Sequence, residues 1–353
     1  MRRAVFRGSG HITVEDAQRP RPERGELLLR VHACALCGSD RRLWEQGSSV
    51  TPGHETAGTV VQAGADTSTP LGTMGAVFLV AFCGRCALCR AGSQGACLRK
   101  EAMLGFNRDG GFAEYITVPE RCFLPIDSRL NADDAVMLLD VTGTAMHAVR
   151  RAGCLESPPS RALVMGAGPV GLGCILVLHA VGVPEVLAVD VAPFRLDFAA
   201  RLGAEAIAGG DAAVEAVRRV MPEGPDFIIE ASGHRTAQRQ ALDLLAPGGK
   251  MVVVGHSSGS IELWASRDLI RQEKMILGSE YFDTREFDYN QQMIVDGRLN
   301  PRQVITHRFP LEEIEEAYRL FWKGETGKVL IYPGRVTRPH PQRPEPLLSN
   351  RSS

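Results

Sequence analysis

At 353 residues the chain exceeds what one ordinary hydrophobic core encloses, so two domains are expected. Hydrophobic residues make up 44% and charged residues 23%, ordinary proportions for a soluble globular protein. Lys and Arg total 40 against 41 for Asp and Glu, a formal charge of -1 that supplies no general attraction to nucleic acid or to an anionic membrane.

The opening Met-Arg-Arg-Ala-Val-Phe-Arg has no apolar run behind its arginines, so no signal peptide is expected. The apolar stretch from Ile175 to Val183 is interrupted by His179 and Gly182 and is too short to span a bilayer. A cytoplasmic location is the expectation. The N-terminal part of the chain is rich in short β-type runs punctuated by glycine and proline: Glu26 to Val31, Gly58 to Gln62, Gly75 to Ala81 and Ala113 to Val118. Spacing of this kind predicts an all-β, barrel-like module.

Inside that module, Cys83-x2-Cys86-x2-Cys89-x7-Cys97 is the most specific feature of the chain. Four thiolates in so short a segment close a tetrahedral site, for which zinc is the usual occupant and an iron–sulfur cluster the competing one. Gly84, Gly92 and Gly95 supply the chain reversals. A closed four-thiolate site has no open coordination position, so its expected task is to hold a loop. Cys34, Cys122, Cys154 and Cys174 lie in no motif and read as small buried hydrophobes.

From Arg161 the texture changes to strands alternating with helices. Ala162 to Met165, Val186 to Val189, Phe227 to Ile229 and Met251 to Val254 are apolar strands, with helices predicted over Gly171 to Val181 and Pro193 to Leu202. Buried apolar strands separated by helices predict a parallel, doubly wound sheet. Gly166-Ala-Gly168-Pro169-Val170-Gly171 fits G-x-G-x-x-G between the first strand and its helix, the context that gives the pattern meaning. Gly166 permits the tight turn, Gly168 lets the backbone approach a pyrophosphate, and Gly171 lets helix and strand pack closely. Asp190 ends the next strand, where a carboxylate accepts hydrogen bonds from the adenosine ribose and repels a 2′-phosphate, favouring NAD over NADP. Arg195 either stacks over adenine and ribose or tolerates a phosphate. Beyond Gly278, Glu312 to Phe321 is predicted helical and Lys328 to Tyr332 a terminal strand that rejoins the N-terminal module. Residues 335–353 read as a disordered tail.

Three further pieces complete the pattern: Cys37-Gly-Ser39-Asp40, Gly53-His54-Glu55 and Asp140-Val-Thr-Gly-Thr-Ala-Met-His147. Together with the four-cysteine lobe and the nucleotide cradle they resemble the medium-chain, zinc-containing alcohol dehydrogenase family, from about Ala4 to Tyr332. Later phrases such as Leu245-Ala-Pro-Gly-Gly-Lys250 and Gly327-Lys-Val-Leu-Ile331 carry the resemblance on. It implies an α/β protein: a β-rich GroES-like catalytic domain over 1–142, with the zinc lobe at 83–97, and a Rossmann NAD-binding domain over 143–284. A return to the catalytic domain follows over 285–334.

It also implies two zinc ions per chain. Cys37 and His54 match catalytic zinc ligands, and Asp140 occupies a position where the family varies among cysteine, glutamate and aspartate. Either Asp140 or Glu55 completes the shell, with Glu55 exchanging or serving as fourth ligand. Asp40 matches the acid that orients the ligand histidine, and Ser39 the hydroxyl that relays the alcohol proton toward solvent. The implied reaction is hydride transfer between NAD and an alcohol/carbonyl pair: a secondary alcohol, polyol, cyclitol or amino-alcohol. A zinc-independent quinone or enal reductase of the same superfamily, and a non-catalytic NAD-binding scaffold, are the alternatives. The paired metal constellations and Ser39 argue against both. Arg41, Arg42 and Trp44 either line the pocket mouth or form a solvated face, and His147 is expected to be structural. A homodimer or homotetramer is implied by the family alone.

Overall fold

The computed structural model describes residues 1–256 and 259–334; the tail expected over 335–353 lies outside the described residues. Two large sheets organise the chain. The first has seven strands, ordered Ile305–Pro310, Lys328–Tyr332, Glu26–Ala35, Glu55–Ala63, Met74–Val77 and Phe123–Pro125, with Tyr115–Pro119 also paired to Glu26–Ala35. Its pairings are antiparallel except between Ile305–Pro310 and Lys328–Tyr332. Alternating buried residues on these strands (Leu27, Leu29, Val31, Ala57, Val60) build a β-domain core together with Phe78, Phe123 and Phe282.

The second sheet has six parallel strands. Counted along the chain from Arg161–Met165 as strand 1, their spatial order is 3-2-1-4-5-6. That is the doubly wound nucleotide-binding arrangement, in which ligands sit beyond the carboxyl ends of the strands. Leu163, Val164, Ile228, Ile229, Met251 and Val252 are all fully buried, as strands covered by helices on both faces must be.

The predicted strands and helices are all present, with shifted edges. The helix expected from Gly171 begins at Pro169 and runs to Ala180, because proline's fixed φ suits the first helical turn. The run Gly75 to Ala81 divides into Met74–Val77 and Val80–Ala81. Phe78 and Leu79 leave the sheet to bond Cys122 and Leu104 instead. The helix expected over Glu312 to Phe321 is a 3₁₀ turn, Leu311–Glu313, followed by Ile314–Trp322.

The terminal strand does rejoin the first sheet. Ile331 pairs with Cys34 and Leu330 with Ala35, while Ala35 pairs on its other side with Glu55. This register brings Lys328 from the end of the chain beside Glu55. Among the described residues no helix is long and apolar enough to cross a membrane.

Candidate active site

Cys37 follows directly from strand Glu26–Ala35 and caps a 3₁₀ turn, Gly38–Asp40. His54 enters the neighbouring strand through Gly53, which takes φ +100°, and a Cβ there would lie 2.7 Å from Cys34 Sγ and 2.8 Å from Phe112 N. Only glycine fits that corner. Asp140 opens a π-helical turn, Asp140–Thr144, a rare conformation found mostly at functional sites. The ligand atoms of Cys37, His54, Glu55 and Asp140 all lie within 4.8 Å of one another.

Within the cluster, Cys37 Sγ is 3.3 Å from Asp140 Oδ2 and His54 Nε2 is 3.5 Å from the same oxygen. The other imidazole nitrogen, Nδ1, faces Asp40 Oδ1 at 3.3 Å. Asp40 is held in place by the Cys37 N–H at 3.0 Å and by the Tyr318 hydroxyl at 2.6 Å, both donating to Oδ2. Ser39 Oγ stands 3.4 Å from His54 Nε2 and is exposed. Glu55 is fully buried against the ammonium of Lys328, which is itself fully buried.

The electrostatics fit a divalent cation. Burial and the charge of Asp140 push Glu55 up to about 8, against the pull of Lys328 and His54. Burial also resists ionisation of Asp140, but His54 and Lys328 prevail and bring it down to about 2. The Cys37 thiol is raised by burial and by Asp140. Glu55 Oε2 and Asp140 Oδ1 are buried without hydrogen-bond partners. Carboxylate oxygens left bare in this way, beside a thiol and an imidazole, are a donor set that a positive ion satisfies.

The four-cysteine lobe is equally definite. Its sulfur–sulfur separations of 3.4, 3.6, 3.9 and 4.0 Å bracket the ~3.8 Å edge of a tetrahedron with metal–sulfur bonds of about 2.3 Å. Main-chain N–H groups of Cys83, Cys89 and Arg99 each donate to a lobe sulfur at 3.4 Å. The N–H of Cys89 helps to lower the Cys86 thiol to about 6. Gly84 and Gly92 adopt φ +69° and +93° at the reversals, whereas Gly95 has ordinary φ. All nine cysteines are free, and Cys34, Cys122, Cys154 and Cys174 are buried.

At the nucleotide cradle Gly166 takes φ +94°, and a Cβ on Gly171 would lie 1.8 Å from the Gly166 carbonyl oxygen. Gly168 caps the helix in extended conformation, with Pro169 in its first turn and Val170 packed on the domain core. Asp190 accepts the Ala167 N–H at 2.7 Å and the Ala192 N–H at 2.9 Å. Arg195 Nη1 lies 3.8 Å from the same carboxylate.

Sequence reasoning assigned no role to Lys328 or Tyr318. Their only signals were a lone lysine heading an apolar strand and a tyrosine on an amphipathic helix. His147 hydrogen-bonds through Nδ1 to both Glu286 oxygens at 3.0 and 3.1 Å. Arg41 pairs with Glu45 at 3.1 Å and covers the Trp322 ring at 4.7 Å. Trp44 stacks on Tyr318 at 5.5 Å and lines a surface pocket with Ser9, Gly10 and Arg319, and Arg42 is exposed.

A β-domain carrying two metal-ligating clusters, joined to a dinucleotide-binding sheet, defines a metal-dependent oxidoreductase. Residues 23–128 match the alcohol dehydrogenase GroES-like domain and residues 169–295 the zinc-binding dehydrogenase domain. The L-threonine 3-dehydrogenase of Bacillus licheniformis is 31% identical over 89% of this chain and 93% of its own. The sorbitol dehydrogenase of Bombyx mori is 29% identical over 93% and 97%. The crystal structure of the alcohol dehydrogenase rspB from Escherichia coli CFT073, complexed with the cofactor NADH, superposes with a TM-score of 0.85 at 27% identity, covering 94% of this chain and 99% of that one. The chain belongs to the zinc-containing medium-chain alcohol dehydrogenase family. Its activity is zinc-dependent, NAD-linked oxidoreduction of an alcohol/carbonyl pair.

Proposed function

We propose that Cys37, His54 and Asp140 hold the catalytic zinc, with Glu55 exchanging or completing the shell, and that Cys83, Cys86, Cys89 and Cys97 hold a structural zinc. The convergence of the first four ligand atoms within 4.8 Å carries this reading. Zinc, when bound, supplies the Lewis acidity that eases deprotonation of an alcohol. The chain's own residues do the rest. Asp40 fixes the orientation and tautomer of His54 from behind, anchored by Tyr318. Ser39, exposed and within reach of the site, passes the alcohol proton outward. Gly166, Gly168, Pro169, Val170 and Gly171 form the pyrophosphate cradle. Asp190 binds the adenosine ribose, and Arg195, already drawn to Asp190, covers it.

The substrate class is a secondary alcohol, polyol, cyclitol or amino-alcohol. Relatives named for L-threonine and for sorbitol support the amino-alcohol and polyol parts of that range. The test is an NADH-production screen over these four classes, coupled to metal analysis. About two zinc ions per chain are expected. Turnover by a zinc-free protein would overturn the reading.

The same reading divides the chain at 1–142, 143–284 and 285–334. It places the protein in the cytoplasm, in keeping with nine unpaired thiols. It also makes a dimer, or a dimer of dimers, through the last strand of the parallel sheet. Among the described residues strand Met275–Gly278 pairs on one side only; its Met275 is 41% exposed, and Trp264 and Ile270 in the preceding segment are 54% and 69% exposed. An open apolar edge is a template for pairing. Ile270→Glu combined with Met275→Lys is expected to convert the assembly to monomers in sedimentation velocity; a parent that is already monomeric would refute the pairing.

Asp190→Asn tests cofactor choice. Asparagine keeps one acceptor for the Ala167 and Ala192 N–H groups but loses the charge. KM for NAD is expected to rise about tenfold, the worth of one charged hydrogen bond, and the gap between NAD and NADP to narrow in initial rates. An unchanged cofactor ratio would remove Asp190 from the ribose site.

A further inference from the structure

One segment touches both the loop of the four-cysteine lobe and the turn that carries Asp140. It runs from Glu280 to Glu286, directly after the last parallel strand. On one side it is fixed to the four-cysteine lobe. Arg285 Nη2 donates to the Ala91 carbonyl at 2.8 Å, and its guanidinium covers Gly92 so closely that a Cβ there would lie 1.8 Å from Cζ. The Glu280 carbonyl passes 2.8 Å from where Gly95 would carry a Cβ.

On the other side it supports the turn that carries Asp140. Phe282 is fully buried, and its ring lies so near Gly143 that a Cβ there would sit 2.4 Å away. Gly143 belongs to the π-helical turn opened by Asp140. Glu286 receives His147 from the helix that continues that turn. Between the two anchorages Tyr281 adopts φ +53°, a left-handed conformation that a bulky residue rarely takes and that costs on the order of 1–3 kcal/mol. Its hydroxyl is buried with no partner. Tyr281 and Phe282 both pack on Phe78, at 5.1 and 5.2 Å between ring centroids. Phe78 follows the strand that pairs with Glu55–Ala63. Strain of this kind persists only where its surroundings over-determine it. Here the surroundings are the thiolate lobe on one side and the Asp140 turn on the other.

We infer that Phe282 and Arg285 are positioning residues for Asp140. Segment Glu280–Glu286 is a strut through which the folded four-cysteine lobe sets the geometry of the third catalytic-metal ligand. The inference rests on Asp140 being that ligand. A π turn is a poorly self-stabilised element, so a ring wedged against its only glycine decides where its first carboxylate points. Loss of the wedge leaves Asp140 bound less squarely, and the catalytic metal leaves more readily while the structural one stays.

The test uses the full chain with zinc in the lobe and cobalt(II) in the catalytic site. Phe282→Leu is expected to shift the visible cobalt band. It should also speed removal of that ion by pyridine-2,6-dicarboxylate 10- to 100-fold, the usual penalty for losing a group that orients a metal ligand. Arg285→Ala, an exposed change that leaves folding intact, should move both readouts in the same direction, and Arg285→Lys should restore them. Phe123→Leu is the matched control. Its ring is buried in the same core and lies against Gly75, so it should lower Tm without moving the band. An unchanged band and release rate in both Phe282→Leu and Arg285→Ala, or an equal change in Phe123→Leu, would overturn the strut. Failure of the ligand assignment itself looks different: the parent enzyme would show a cobalt band that Asp140→Asn leaves unaltered.

Discussion

Replacing Cys37 by serine is expected to lower kcat/KM for the best alcohol by about 10³-fold or more while leaving the fold intact. Serine keeps the shape but offers a hydroxyl that ionises far less readily than a thiol, so the catalytic cluster loses its one sulfur donor. Several kcal/mol of transition-state stabilisation by a Lewis acid are at stake, and about 1.4 kcal/mol corresponds to each tenfold in rate. The four-cysteine lobe is separate and should keep its ion, so zinc content should fall from about two per chain to about one. Cys37 caps the 3₁₀ turn beyond its strand, and its N–H bond to Asp40 does not depend on the side chain. Far-UV circular dichroism and Tm should therefore stay close to the parent. A variant with near-normal turnover would remove Cys37 from the chemistry.

The four-cysteine lobe and the nucleotide cradle were legible in the sequence because their determinants are local, whereas Cys37 and Asp140, 103 positions apart, were reached only through the family resemblance. The lobe's four sulfurs sit within one short loop, and Gly166 to Gly171 lie within one βα turn, so spacing alone fixes their relative positions. The parallel strands were legible for a related reason: burial on both faces leaves uninterrupted apolar runs such as Ala162 to Met165. Other features were not legible. The hairpin Arg2–Gly8 and His11–Asp16 hides among arginines and acids because only one face of it is covered, by Ala4 and Phe6 pointing inward. The edge strand Met275–Gly278 is four residues long and partly exposed, so it lacks the apolar signature of its neighbours. Most telling is Lys328. Its partner Glu55 lies 273 positions away in the chain, and only the register of three adjacent strands brings the two together. No spacing rule reaches that far. The strut residues Tyr281 and Phe282 escape notice for the same reason, since their partners at Phe78 and Gly143 come from other elements.

Lys328 also carries the second large expected effect, one that separates stability from catalysis. The lysine and Glu55 are both fully buried, so removing the ammonium alone leaves a carboxyl in a low-dielectric pocket already crowded by Asp140. With Glu55 already raised to about 8, that carboxyl is left neutral but without its partner, so Lys328→Met is expected to destabilise the protein by about 1–3 kcal/mol, a fall in Tm of several degrees. Replacing both partners with groups of similar shape, as in Lys328→Met with Glu55→Gln, removes the mismatch along with the pair. Because a buried ion pair contributes little net stability over neutral replacements of like volume, the double variant should recover most of the lost Tm. Activity should not follow. Glu55 lies among the ligand atoms of the catalytic cluster, and its substitution by glutamine removes the charge that an exchanging ligand needs. Thermal melts of the two single variants and the double variant give the coupling energy directly. If Lys328→Met melted with the parent, the lysine would be a bystander. If the double variant were as unstable as the sum of its singles, the two side chains would act on the fold through separate neighbours rather than through each other.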